Sequence, residues 1–157
     1  MKTLRIEPLT KAGFAGFGDV LEIAEASPVS VNQGFAERFH DLARVDVGDE
    51  VNVSIFAARP RPFPIELKLM ERHPRGTQIF YPLQDRPWLV LVCGDPLDAA
   101  SYRAFTATGR QGVNYGRNVW HHPLLVFEPG SFLVVDRKNP EGNLEEVHVA
   151  GVTLPAM

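Results

Sequence analysis

The sequence predicts an all-β domain, a barrel or double-sheet jelly roll with one or two short helices, and three observations carry that expectation. Gly and Pro number 13 each in 157 residues. That is about a sixth of the chain against roughly an eighth on average, so turns are frequent and the elements between them short. Eight or more short apolar or alternating segments recur between those turns, the pattern of a sandwich or barrel. The length suits one compact core, and residues 1–157 are read as a single domain.

Taken in order, Thr10 to Phe17 reads as a short helix, with Thr10 as N-cap and Gly16 and Gly18 closing it. Val51, Val53, Ile55 and Ala57 then alternate with Asn52, Ser54 and Phe56, the period of a strand with one drier face. Pro60 to Pro64 is a loop between strands. Further strands are expected at Leu67 to Arg72, Thr77 to Leu83, Trp88 to Cys93, Ser101 to Ala107, Pro123 to Phe127, Phe132 to Asp136 and Glu146 to Val152.

Composition excludes several classes of function. A formal net charge of −3, a pI near 5.9 and the lack of any Lys or Arg run leave no footprint for phosphate backbones, so nucleic acid is not an expected partner. The single cysteine, Cys93, lies in an apolar run and reads as a small buried hydrophobe. No stretch approaches the roughly 18 apolar residues of a membrane span, and Glu7 interrupts any signal-peptide pattern. A cytoplasmic protein with no membrane partner is the expectation, and the sequon Asn52-Val53-Ser54 then has no consequence. Glycine-rich nucleotide turns, phosphate loops, zinc-protease helices and Cys-x-x-Cys pairs are absent from the sequence.

Two constellations carry chemistry. In an extended run from Ile65 to His73, strand alternation puts Ile65, Leu67, Leu69, Glu71 and His73 on one face, apolar until its last two members. Such a face fits a site in a barrel mouth, and it also fits a strand emerging into solvent at Pro74. The turn Pro74-Arg75-Gly76-Thr77 returns the chain so that Gln78 lies beside Glu71 and His73. Glu71-x-His73-x4-Gln78 has the spacing of the first cupin motif, with Glu71 in place of its first His and Gln78 in place of its Glu. The second constellation is the run Gly112 to Pro123, in which His121 and His122 are adjacent and must point to opposite faces of an extended segment. His121, sharing its parity with Val119, is the one expected to enter the barrel.

These blocks together resemble the ureidoglycolate lyase (ureidoglycolate hydrolase) family of allantoin degradation. The resemblance runs through Asn32-Gln33-Gly34, Glu37-Arg38-Phe39-His40-Asp41-Leu42-Ala43, Glu71-Arg72-His73-Pro74 and Gly76-Thr77-Gln78. It continues through Gly112-Val113-Asn114-Tyr115, Trp120-His121-His122-Pro123-Leu124 and Phe132-Leu133-Val134-Val135-Asp136-Arg137. Gly116 departs from it, standing where relatives carry a larger polar or basic side chain. The resemblance implies a cupin-type jelly-roll barrel, a homodimer, and cleavage of the C–N bond of ureidoglycolate to glyoxylate and urea. A divalent metal, nickel among those suggested, is associated with the family.

That reaction needs a base, an acid and a group to hold a carboxylate. His73 and His121, with Glu71, are the catalytic candidates, because an imidazole both accepts and donates protons near neutral pH. Arg38 is the candidate for the substrate carboxylate, since a guanidinium binds one bidentately. A surface ion pair with Glu37 or Asp41 is its structural alternative. Asn32, Gln78 and Tyr115 are candidates for binding the ureido group, and Asp136 for orienting a histidine; Asp136 and Arg137 point to opposite faces, so at most one contributes. Glu71, His73, Gln78 and His121 form the possible mixed N/O metal set, weakened by the amide of Gln78. Other readings are a different cupin enzyme for a small acid, or a non-catalytic small-molecule-binding cupin.

Overall fold

The computed structural model describes residues 1–157, and it is built from short strands stacked in three layers. The first sheet carries the strands Gly18–Leu21, Gly112–Tyr115, Gln78–Pro82, Gly130–Arg137 and Val51–Ala58, in that spatial order. The second runs Glu145–His148, Leu69–Arg72, Trp120–His121, Trp88–Cys93, Tyr102–Ala107 and Ile6–Pro8, with Leu125–Val126 pairing on Trp88–Cys93. These two facing sheets form the double-sheet jelly roll. A third sheet of Lys2–Thr3, Val152–Leu154 and Ile65–Glu66 covers the outer side of the second.

Trp88–Cys93 is the unbroken apolar run of the sequence, and its position explains why. Trp88, Val90 and Val92 face the core between the two main sheets, with Phe14, Phe80, Phe105, Val113, Tyr115, Phe132 and Val134. Leu89, Leu91 and Cys93 face a second core with Leu67, Met70, Tyr102, Val152 and Leu154. A strand buried on both faces has no polar row to show. Each fully buried large apolar side chain here contributes about 1.5–3 kcal/mol.

The helix at the N-terminal end is a single turn, Lys11–Phe14, and the Thr10 hydroxyl accepts a hydrogen bond from the Gly13 amide at 3.0 Å. It drops Phe14, fully buried, against Phe105 and Tyr115. Gly18 then joins the first sheet at φ +150°, where an added Cβ would lie 1.8 Å from the Asn114 carbonyl oxygen. Only glycine permits that approach, and it sets the register of Gly18 against Tyr115.

Two expectations from alternation are corrected. The run Ile65 to His73 is not one strand: Ile65–Glu66 belongs to the outer sheet and Leu69–Arg72 to the second. Between them the amide of Leu67 donates to the Val152 carbonyl and Lys68 accepts from the Val149 amide as the chain crosses layers. That crossing resets the alternation, so Ile65, Leu67 and Met70 fill the outer core while Glu71 and His73 face inward. Likewise Glu146 to Val152 divides into Glu145–His148 and Val152–Leu154 in different sheets.

The second correction concerns Val51–Ala58, an edge strand of the first sheet. Its apolar row is the wet one, with Val51, Val53 and Ile55 at 48, 63 and 65% exposure. Asn52, Ser54 and Phe56 pair with Asp136, Val134 and Phe132, the inward row of the neighbouring strand. The inner face at this edge is polar because it borders the site.

A separate two-stranded arm, Val29–Val31 and Ala36–Arg38, is joined through a short 3-10 turn at Asn32–Gly34. Its strands pair only with each other, and both Asn32 and Gln33 adopt positive φ at its tip.

Candidate active site

The inward ends of four strands meet between the main sheets. Backbone register sets His121 directly against Glu71, and Tyr115 against Gln78. The rings of His73 and His121 lie 5.2 Å apart. Tyr115 stacks on His121 at 4.1 Å and 8°, which fixes the plane of the imidazole from one side.

The tautomer of each histidine follows from its other nitrogen. His73 Nδ1 is 2.7 Å from the Asn143 carbonyl oxygen, and His121 Nδ1 is 2.9 Å from that of Val119. A carbonyl can only accept, so each Nδ1 carries the proton and each Nε2 presents a lone pair. Both Nε2 atoms are buried and have no hydrogen-bond partner. Pinning one ring nitrogen on a backbone carbonyl is how histidines are oriented for metal binding or proton transfer.

The Glu71 carboxylate lies 3.6 Å from His121 Nε2. Burial alone would raise its pKa. The attraction of a protonated His121 ring at this distance, with smaller contributions from His73 and His122, outweighs that and holds the carboxyl below its ordinary value. A carboxylate beside two imidazole lone pairs concentrates electron density that a proton or metal cation relieves. Ligand atoms of Glu71, His73 and His121 all lie within 4.8 Å of one another. This donor set fits a divalent ion of the kind bound by mixed imidazole and carboxylate ligands.

Gln78 and Asp136 extend the site. The Gln78 amide nitrogen donates to Asp136 Oδ2 at 3.1 Å, leaving Gln78 Oε1 and Asp136 Oδ1 buried and unpartnered. Arg137 turns the other way, donating to the Val47 carbonyl at 2.8 Å and pairing with Asp49. The phenol of Tyr115 is held well above its ordinary pKa by burial and then by the charge of Glu71, so it is a neutral hydroxyl at any physiological pH.

His122 lies outside this group, buried with Nδ1 2.7 Å from the Pro123 carbonyl oxygen. Burial pushes its pKa down to about 4; the Pro123 carbonyl opposes that and the Arg61 charge adds to it.

Of the residues singled out from sequence, Glu71, His73, Gln78, Tyr115, His121 and Asp136 are brought together. Asn32 and Arg38 are not: both are exposed on the arm, with no hydrogen bond or ion pair to the barrel groups. Two residues escaped the sequence reading. Asn52 is the cross-strand partner of Asp136, and Ser54 that of Val134, so both point into the site, although their sequon was read as having no consequence. The polar row within an otherwise apolar strand was the available signal.

A double-sheet β fold whose interior ends in two imidazoles and a carboxylate is a small-molecule site of the cupin type. A profile of the family Ureidoglycolate lyase matches residues 1–154. "Ureidoglycolate lyase 1" of Rhizobium meliloti (strain 1021) is 55% identical over 150 residues, covering 92% of this chain and 88% of the relative. "Ureidoglycolate lyase" of Burkholderia mallei (strain NCTC 10229) is 52% identical over 152 residues, with 93 and 89% covered. The Brucella ovis (strain ATCC 25840) protein of the same name is 52% identical over 151 residues, with the same coverage. The chain belongs to the ureidoglycolate lyase family.

Proposed function

We propose that this chain is a ureidoglycolate lyase, splitting ureidoglycolate into glyoxylate and urea in allantoin breakdown. The observation that carries this reading is that four of the chain's five buried, unpartnered side-chain polar atoms belong to this site, namely Nε2 of His73, Nε2 of His121, Oε1 of Gln78 and Oδ1 of Asp136, the fifth being Oδ1 of Asn114. Ureidoglycolate offers a matching number of donor hydrogens, one on the carbinol hydroxyl, one on the ureido NH and two on its NH2. A buried acceptor left unpaired costs on the order of 1–3 kcal/mol, so a donor-rich ligand gains by entering.

An imidazole Nε2 takes the hydroxyl proton, and the electron pair of that O–H bond becomes the second C–O bond of the aldehyde. The C–N bond breaks, its pair leaves on the ureido nitrogen, and that nitrogen takes up a proton to become urea. No water is consumed. Glu71 stabilises the imidazolium that forms between the two events, as its 3.6 Å approach to His121 allows. Acid–base catalysis of this kind is typically worth about 10²–10⁴ in rate. Gln78, Asp136 and Tyr115 orient the ureido group, and Arg38 binds the substrate carboxylate.

Glu71, His73 and His121, with the amide oxygen of Gln78 beside them, would hold a divalent ion such as nickel, which would supply Lewis-acid polarisation of the substrate oxygens. The Nε2 lone pairs serve one purpose at a time, so chelation separates the two arrangements. Purified protein is assayed for urea and glyoxylate against spontaneous decay, with and without chelator, beside His73→Ala and His121→Ala. Equal amounts of the two products, lost in both variants, are expected. No acceleration under any metal condition would reject the lyase and leave a binding-only cupin.

A further inference from the structure

The site has no positive side chain of its own. Its inward rows are Asn52, Ser54 and Phe56, then Phe132, Val134 and Asp136, with Gln78, Tyr115, Glu71, His73 and His121 completing it. Two carboxylates, Glu71 and Asp136, thus face a substrate that is itself a carboxylate. Arg72 and Arg137, next in sequence to Glu71 and Asp136, pair with Glu145 and Asp49; Arg117, two residues from Tyr115, pairs with Asp46, and Arg75, two from His73, lays its guanidinium against Gly142. A divalent ion held by Glu71, His73 and His121 would offset part of this repulsion, whereas a guanidinium would add a bidentate hydrogen-bonding partner for the substrate carboxylate.

The same chain carries a cation with nothing to bind. Arg38 is exposed at the end of the arm and makes no ion pair, although Glu37 and Asp41 are near in sequence; Asp41 pairs with His40 instead. The arm also exposes Phe35 at 93% and Val29 at 47%, a large apolar surface for an element that hydrogen-bonds only to itself.

A third feature lies along the opening of the site. Val51–Ala58 is an eight-residue edge strand with an exposed apolar row, the kind of edge that folded proteins cover. Phe56 points inward yet remains 41% exposed, so the site is open along this edge. An uncovered apolar edge beside an acidic site, and an apolar arm bearing a free arginine, are complementary surfaces on one molecule. A two-fold axis satisfies both at once, each arm meeting the other copy's edge.

We propose that in a homodimer the arm of each copy covers the Val51–Ala58 edge of the other and delivers Arg38 into that copy's site, where it binds the substrate carboxylate. The inference rests on the lyase reading for its substrate and adds that the active site is shared between subunits. Two single-site variants, Arg38→Ala and His73→Ala, test it as differently tagged chains purified as mixed dimers. Each variant alone is expected to lose at least about tenfold in kcat/KM. The mixed dimer holds one intact site, built from the Arg38→Ala barrel and the His73→Ala arm, and is expected to recover about half of wild-type activity.

No recovery above the two parents would place Arg38 in its own chain's site and overturn the proposal, as would full activity of Arg38→Ala alone. Phe35→Asp supplies a readout independent of catalysis: sedimentation should show dimer converted to monomer, and an unchanged dimer would refute docking by the arm. If the wild type itself failed to cleave ureidoglycolate, the lyase reading would fall, and the Phe35→Asp result would still decide whether the arm joins two copies.

Discussion

Replacing His122 by Asn removes a titrating group from the protein interior while keeping a donor for the Pro123 carbonyl, which now accepts at 2.7 Å from Nδ1. In the folded chain His122 has its pKa lowered to about 4, from 6.5 for an imidazole in water. Between those values the unfolded chain binds the extra proton, so stability rises with pH across the window and is lost as pH falls from about 6.5 to about 4. The full effect is about 3 kcal/mol. At about pH 5 roughly 2 kcal/mol of it has been lost, and at about pH 7.5 almost none. Urea unfolding of both proteins at these two pH values, with chelator throughout, isolates the His122 contribution, because every other histidine is common to both. The wild type should lose about 2 kcal/mol more than His122→Asn on going to the lower pH. Equal losses in the two proteins would show that His122 is not held neutral by burial, and the packing argument around it would fail.

Three further outcomes follow from other parts of the molecule. Asn52→Ala should raise KM by about 5- to 30-fold, the loss of one substrate hydrogen bond of about 1–2 kcal/mol, with little change in the unfolding midpoint, because the Asn52 side chain makes no hydrogen bond within the chain. Glu71→Gln should weaken nickel binding at least about tenfold in equilibrium dialysis by removing the charged member of the ligand set; unchanged binding would move any metal to another place. Burial, opposed by the neighbouring Tyr102 hydroxyl and reinforced by Asp95, pushes the Cys93 thiol up to about 12. At about pH 8 its thiolate is then roughly 10³-fold scarcer than in an ordinary cysteine, so a thiol reagent should label it at a comparable rate only after unfolding.

Part of the protein was legible in the sequence because strand periodicity is local. Alternation and turn chemistry located Trp88 to Cys93 to the residue, and found most of Tyr102–Ala107 and Gly130–Arg137, because each of these strands stays in one sheet. The spacing of Glu71, His73 and Gln78 also put three site groups together, since a tight turn joins their two strands. The opposition of His121 and His122 followed from side-chain alternation alone.

What the sequence could not decide was which layer each segment joins. Ile65, Leu67 and Met70 fill the outer core while Glu71 and His73 enter the inner one, because the chain changes sheets at Lys68 and the alternation restarts there. The apolar row Val51, Val53 and Ile55 faces out and the polar row Asn52 and Ser54 faces in, because the strand sits at an edge against the site. Periodicity tells which residues share a face, whereas the side that face is turned to depends on what packs there. Arg38 and Asn32 belong to the same lesson: the family blocks mark them, and only the tertiary structure shows them standing on an arm outside their own barrel. The sequence by itself determined the residues and their chemistry, and the packing of layers decided which of them one chain brings into contact.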